Sequence, residues 1–144
     1  MSDMINGIAW QDKYSIGYDN VDAQHRRMFE MLSELVNACM DGSDTEKLKS
    51  TIDFLVNYTV QHFYDEELIQ IQYNYPGYKR HKQIHEDFKI TVGGIVAKFN
   101  ENGSSSALSN DVNKIMVRWI INHIQNEDKK IGEFIHKMDS RFEN

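Results

Sequence analysis

The chain has 144 residues, of which 40% are hydrophobic and 26% charged, enough for one domain with a buried core. Its formal charge of −6 argues against nucleic acid as the main partner, because a phosphate-binding surface needs a basic face. No stretch approaches the roughly 18 apolar residues of a membrane span, and residues 1–6 lack the basic and apolar regions of a signal peptide, so we expect none. The single cysteine, Cys39, excludes an internal disulfide and fits a reducing interior. We therefore expect a cytoplasmic protein without membrane insertion.

One proline and long stretches of 3.6-residue hydrophobic periodicity predict an all-α chain. The first 20 residues differ, because Gly7 and Gly17 interrupt their aromatic residues, and we expect an extended arm packed along the domain. The apolar residues of this arm include Trp10, Tyr14, Ile16 and Tyr18. A first helix is predicted from about Val21 to Met40, and Asp41-Gly42 supplies its stop signal.

A second helix is predicted from a capping box to a proline turn. Ser43 precedes Glu46 by three residues, which is the spacing of a capping box, and the helix ends near Tyr73. The composition of Asn74-Tyr75-Pro76-Gly77 is typical of a turn, and Pro76 disfavours a helical Tyr75.

The third helix runs from about Tyr78 to Asn100 and contains Gly93-Gly94, which a close approach to a neighbouring helix would explain. The fourth helix begins between about Ser106 and Asp111, and a short C-terminal segment follows it. Four long helices with short loops predict an antiparallel up-down-up-down four-helix bundle, with an extended N-terminal arm and a short C-terminal helix. We expect one domain over residues 1–144, with the arm at 1–20, the bundle at 21–136 and a tail at 137–144. No surplus apolar stripe stands out, so the oligomeric state stays open.

Histidines stand on the inward stripes of all four helices. They are His25, His62, His81, His85 and His123. Glu66 follows the second of them by four residues, and the third and fourth are also four apart, so each pair shares one helix face. Burying five imidazoles and a pair of carboxylates without compensation would cost several kcal/mol, which a metal centre would offset.

Asp128 follows His123 by five residues, which on a regular helix separates the two side chains by roughly 140°. Both can reach one centre only through a wider turn or a helix end. We expect the neighbouring carboxylates Glu67 and Glu127 to face solvent and His136 to lie on the surface. With Asp128 the donors number seven, more than the three or four of one zinc site, which suggests two metal ions sharing carboxylates. Imidazole and carboxylate donors suit iron, manganese or zinc, and bridging carboxylates favour two irons.

These residues together resemble the hemerythrin family, and specifically its single-domain bacterial members. The resemblance covers nearly the whole chain. It is carried by Trp10 and Tyr14, Ile16-Gly17, Val21-Asp22-Ala23-Gln24-His25, His62-Phe63-Tyr64-Asp65-Glu66-Glu67, Tyr75-Pro76, His81 with His85, Trp119-Ile120-Ile121-Asn122-His123-Ile124 and Asp128-Lys129.

The resemblance implies a non-haem centre of two iron ions with an oxo or hydroxo bridge. The implied ligands are His25, His62, Glu66, His81, His85, His123 and Asp128. The last three histidines would bind one iron, the first two the other, and the two carboxylates would bridge them. O2 would bind reversibly, as hydroperoxide, at the iron with an open position. The resemblance thus implies an oxygen-binding protein for O2 carriage, storage or delivery, and not an enzyme.

An apolar shell would protect bound O2 from water and slow its irreversible loss. The candidates for this shell are Ile120, Trp119, Phe63, Ile69 and Phe88, all of which ordinary core packing would also explain. Ile120 stands where the bacterial family often has leucine. Two alternatives stay open: a sensor of O2, redox state or iron that acts through an unidentified protein partner, and a di-iron oxidase or peroxidase.

Overall fold

The computed structural model describes residues 9–40, 42 and 44–143, and these residues form helices and turns without a strand. Three long helices come first: α1 (Asp19–Met40), α2 (Thr45–Gln72) and α3 (Tyr78–Asn102). Loops of only a few residues join them, so consecutive helices run antiparallel. The all-α bundle expected from the sequence is confirmed.

The fourth helix of the bundle spans residues 106–143 without a break, but it changes between α- and π-helix along its length. Its regular parts are α4 (Ser106–Asp111), α5 (Arg118–His123) and α6 (Lys129–Glu143). Two π-helical segments, Val112–Val117 and Ile124–Asp128, lie between them. The C-terminal segment expected as a separate short helix is therefore the continuation of the fourth helix.

Local capping fixes the junction between α1 and α2. Gly42 has a φ of 67°, in the left-handed region that favours glycine after a helix end. The Oδ1 atom of Asp44 accepts a hydrogen bond of 2.8 Å from the Lys47 backbone N–H, which makes Asp44 the N-cap of α2. Ser43 and Asp41, on which the sequence predictions for this junction rested, lie outside the described residues.

The apolar core fills the half of the bundle near the α1–α2 and α3–α4 loops. Several of its side chains have no exposed surface: Leu32, Leu35, Leu48, Leu55 and Val112. Each buried side chain of this size stabilises the fold by about 1.5–3 kcal/mol. The five histidines lie nearer the opposite end, where α1 and α3 begin and α2 ends. No described helix is both long and apolar enough to cross a membrane.

The arm packs across α1 and α6. Asp22 accepts hydrogen bonds from the Ser15 hydroxyl at 2.7 Å and the Ile16 backbone N–H at 2.8 Å. A Cβ added to Gly132 would overlap the Ile16 carbonyl, so this glycine lets the arm lie directly on α6. The exposed His136 donates from Nε2 to the Gly17 carbonyl at 3.1 Å, so the expected surface histidine also holds the arm.

Two sequence expectations are wrong. A Cβ built on either Gly93 or Gly94 meets no atom within 4 Å, so no close helix approach explains the pair. The outer face of α2 also carries an exposed apolar stripe, although the sequence predicted no surplus apolar stripe. Its members are Val60, Tyr64, Leu68 and Ile71, with exposed fractions between 40% and 57%.

Candidate metal centre

The structure brings all seven predicted donors together in two overlapping groups. One group contains Glu66, His81, His85, His123 and Asp128, and the other contains His25, His62, Glu66 and Asp128. Within each group the donor atoms lie within 4.8 Å of one another, and every side chain is buried. The two carboxylates belong to both groups.

The imidazoles meet through their Nε2 atoms. His25 Nε2 lies 3.1 Å from His62 Nε2, and His123 Nε2 lies 3.1 Å from His85 Nε2 and 3.2 Å from His81 Nε2. A neutral imidazole has one N–H and one lone pair, so three rings facing one another cannot all be satisfied by hydrogen bonds among themselves. Within each group the Nε2 atoms therefore converge on one common point.

The two carboxylates reach histidines of both groups. Glu66 Oε1 lies 2.8 Å from His81 Nε2 and 3.3 Å from His85 Nε2, while its Oε2 lies 3.3 Å from His62 Nε2. Asp128 likewise places Oδ1 3.0 Å from His81 Nε2 and Oδ2 3.0 Å from His25 Nε2. Despite these short distances, Glu66 Oε2 and Asp128 Oδ1 are buried without a well-aligned hydrogen bond.

These distances fit cation ligation. With metal–ligand bonds of about 2.1 Å, adjacent donors of an octahedron stand about 3.0 Å apart. The observed separations of 2.8 to 3.3 Å bracket that value. Carboxylates that are buried, shared and poorly aligned for hydrogen bonding are the donors expected to bridge two neighbouring cations.

Electrostatics supports the same conclusion. Burial opposes charge on His25 and His81, yet Asp128 and Glu66 outweigh it and raise the pKa of His25 to about 9 and that of His81 to about 10. For His62, burial dominates and lowers the pKa. Burial alone would raise the pKa of both carboxylates, but the surrounding histidines hold them well below their usual range. The metal-free cluster therefore keeps two ionised carboxylates and protonates two histidines, and a cation would displace those protons.

Asp128 reaches the cluster through the second π segment. The Lys129 backbone N–H donates to the Ile124 carbonyl, a step of five residues instead of four. The wider turn brings Asp128 onto the same face as His123, and their Oδ1 and Nε2 atoms lie 3.0 Å apart. This is the departure from regular helix that the five-residue spacing required.

Two polar residues that the sequence reading did not assign to the site hold the histidine rings. Glu67, expected in solvent, is buried, and its Oε2 accepts from His85 Nδ1 at 2.9 Å. Gln24 Oε1 lies 2.7 Å from His62 Nδ1. A proton fixed on Nδ1 leaves the Nε2 lone pair free for a cation. Glu67 follows Phe63 by four residues, a spacing that could have revealed its inward position, whereas no periodicity singles out Gln24.

Glu127 lies in a different environment from Glu67. Its side chain keeps 17% of its surface exposed and forms two contacts with the Arg80 guanidinium, at 2.6 and 3.1 Å. The guanidinium lowers the pKa of this carboxyl. Glu127 therefore belongs to a surface ion pair beside the cluster.

Aromatic rings line one side of the cluster. Phe63 stacks on His85 at a centroid distance of 3.8 Å, and Trp119 stacks on His123 at 4.4 Å. Phe88 stacks on the outer face of Trp119 at 3.7 Å. Ile120 is 1% exposed and lies one turn before His123. The fifth shell candidate, Ile69, is only half-buried and lies outside the main hydrophobic cluster of the described residues.

The fold is an all-α bundle whose core holds two adjacent histidine–carboxylate groups with the donor chemistry of a metal site. Residues 16–135 match the family model described as Hemerythrin HHE cation binding domain. The chain belongs to the hemerythrin family. The resemblance predicted from the sequence is confirmed.

Named relatives agree with this assignment. A bacteriohemerythrin of Stenotrophomonas maltophilia is 33% identical over 126 residues, which cover 88% of this chain and 80% of the relative. A bacteriohemerythrin of Pseudomonas aeruginosa is 31% identical over 84% of this chain and 76% of its own length. A myohemerythrin of Riftia pachyptila is 29% identical over 84% of this chain and 88% of its own.

Proposed function

We propose that this protein binds O2 reversibly at a non-haem centre of two iron ions with an oxo or hydroxo bridge. The observation that carries the proposal is the pair of overlapping donor groups joined by Glu66 and Asp128. His81, His85 and His123 would hold one iron, and His25 and His62 the other, with the two carboxylates bridging. Two ferrous ions would supply the electrons for reversible O2 binding.

The two donor groups differ in size, which supports O2 binding at the smaller group. The three-histidine group offers five protein donors and the two-histidine group four. An iron held by His25, His62 and the two carboxylates would have one protein donor fewer than the other and would keep an open position for O2. Apart from the shared carboxylates, the polar contacts of His25 and His62 among the described residues are with each other and with the uncharged Gln24. This favours binding and release over acid–base catalysis, so we propose an oxygen-binding protein and not an enzyme.

The surrounding residues would hold the rings and exclude water. Glu67 and Gln24 fix His85 and His62 through their Nδ1 atoms. The stack of Phe88 on Trp119 and the buried Ile120 leave little room for solvent beside His123. O2 carriage, storage or delivery in the cytoplasm is the role we propose. The single Cys39 supports a reducing compartment, and the negative net charge supports a role without nucleic acid.

The test is a visible spectrum of the reduced, iron-loaded protein before and after air, with iron counted per chain. We expect two irons per chain, a colourless reduced form and a visible band in air that disappears on deoxygenation. A zinc-loaded sample is the control, because zinc has no redox chemistry and should give no band. A band that collapses at once to a ferric product would favour the oxidase or sensor alternatives, and a chain that holds no iron would refute the proposal.

A further inference from the structure

A cavity of about 250 Å³ lies between α2 and α3, beside the aromatic wall of the metal centre. Its lining is almost entirely apolar and includes Val56, Phe63, Phe88, Val92, Val96 and Met116. An apolar cavity of roughly 150 Å³ is enough to hold benzene, so this one can hold a larger apolar group. None of the seven cluster donors lines it.

Gly93 keeps the cavity accessible. It lines the cavity, is exposed at the surface and has no atom within 4 Å of an added Cβ. Glycine in a helix interior is disfavoured relative to alanine, and neither a positive φ nor a close helix approach explains it here. A larger side chain at this position would extend into the space that glycine leaves open. Gly94, which has the same free space around its Cβ but does not line the cavity, is a matched neighbour.

Lys89 supplies the one charged group among the lining residues. Its side chain is 31% exposed, and its ammonium lies 3.0 Å from the carboxylate of Glu86 three residues earlier. The interaction within a partly exposed ion pair of this kind is weak, so the Lys89 ammonium stays available to a second carboxylate. The cavity therefore combines an apolar interior with a positive charge, and its polarity suits an amphiphilic anion.

The inner wall of the cavity is also the outer wall of the metal cluster. Phe63 lines the cavity and stacks on His85 at 3.8 Å, while Phe88 lines it and stacks on Trp119 at 3.7 Å. An occupant would contact rings that pack against the histidines without reaching a donor atom itself. The cavity is thus a separate site that shares one layer of side chains with the cluster.

We propose that this cavity binds a small monocarboxylate with an apolar tail, with the tail against Phe63 and Phe88 and the carboxylate on the Lys89 ammonium. The proposal does not depend on O2 binding, because none of the cluster donors lines the cavity, although Phe63 and Phe88 contact both sites. Its existence can therefore be tested whatever metal the protein holds.

Calorimetric titration of the purified protein with hexanoate tests the proposal, with hexanol, hexylamine and acetate as comparison probes. We expect saturable binding of hexanoate, weaker binding of hexanol, and no saturable heat from hexylamine or acetate. Lys89→Met should weaken hexanoate binding about tenfold and leave hexanol unchanged, because only the charged contact is removed. Lys98→Met, on the same helix but outside the cavity, should change neither.

Gly93→Leu should abolish hexanoate binding by filling the mouth, and Gly94→Leu should preserve it. Equal binding in the two leucine variants would overturn the proposal. Acetate that binds as tightly as hexanoate would also overturn it, because the apolar tail would then contribute nothing to binding. Equal affinity for hexanol and hexanoate, unaffected by Lys89→Met, would overturn the assignment of the ligand as an acid.

Discussion

Removal of the Glu67 carboxylate tests how far a residue outside the donor set controls the centre. His85 Nε2 faces the cluster, so its Nδ1 carries the proton that Glu67 Oε2 accepts at 2.9 Å. Both side chains are nearly inaccessible, with 0% and 10% of their surfaces exposed. Glu67→Ala would leave a buried N–H without a partner, and it would remove the contact that fixes the ring.

The expected effect is a 10- to 100-fold loss of metal affinity, about 1.4–2.7 kcal/mol, as is typical for partners of metal-binding histidines. A hydrogen bond to a charged group contributes about 1.5–3 kcal/mol, which agrees with that range. Glu67→Gln keeps an acceptor oxygen and loses only the charge, so its effect should be intermediate. Because His85 belongs to one donor group only, one of the two bound ions should be released more easily than the other.

The assay is anaerobic competition for ferrous iron against a chelator, with both binding steps resolved. Glu127→Ala is the matched control, since it removes a carboxylate of a surface pair with Arg80, a kind of pair that contributes about 0–1 kcal/mol. Wild-type affinity for both ions in Glu67→Ala would refute the role of the carboxylate. An equal loss in Glu127→Ala would show that a general charge effect, and not ring positioning, is responsible.

Four further predictions concern other parts of the molecule. Glu66→Ala should abolish the paired site, because this side chain belongs to both donor groups, and two irons per chain by metal analysis would contradict it. Ile120→Ala should speed autoxidation by opening the dry wall beside the cluster; an unchanged decay of the visible band in air would argue against that role. In the metal-free protein the pKa values of His25 and His81 are raised from 6.5 to about 9 and about 10, so their stabilisation is complete below pH 6.5 and is lost as the pH rises through those values. The iron-loaded protein lacks this loss, so the gap between the two melting temperatures should widen from pH 7 to pH 9, and a constant gap would refute the linkage. Gly132→Ala should lower the stability by about 1–3 kcal/mol through overlap with the arm, which thermal melting would detect; an unchanged melting temperature would mean that the arm is easily displaced.

Most of the bundle could be predicted because helical periodicity survives in the sequence. The inward stripes of α1 and α3 are regular, and the four-residue spacings of His62–Glu66 and His81–His85 place donors on one face without further information. The end of α2 shows where this reasoning fails. Gln70, four residues after Glu66, is fully buried, whereas the apolar Ile69 is only half-buried. Four residues advance a helix by about 400°, which places Gln70 on the inward face with Glu66. The prediction of Ile69 as an inward residue rested on its hydrophobicity.

The position of Asp128 could not be derived from the residues alone. Residues 124–127 contain neither proline nor glycine, so nothing local distinguishes a five-residue turn from a four-residue one. Glu67 was misassigned for a different reason: a carboxylate is most often solvated, and only its histidine partner on α3 makes burial favourable. For Glu67 the four-residue spacing from Phe63 indicated the inward position but residue type outweighed it, whereas the turn at Asp128 depends on tertiary contacts that periodicity within one helix does not contain.

The wide turn before Lys129 sets the phase of the whole C-terminal helix. In it, five residues cover the rotation of about 400° that four cover in a regular helix, so the same five residues in a regular α-helix would rotate everything after them by about 100°. That rotation would carry Ile131 and Ile135 out of the core and turn Gly132 away from the arm, together with the carboxylate. The width of this one turn thus serves the chemistry of the site and the packing of the C-terminal helix at once, and deletion of one of its residues, which restores a regular turn in the same phase, should be tolerated better than a further insertion.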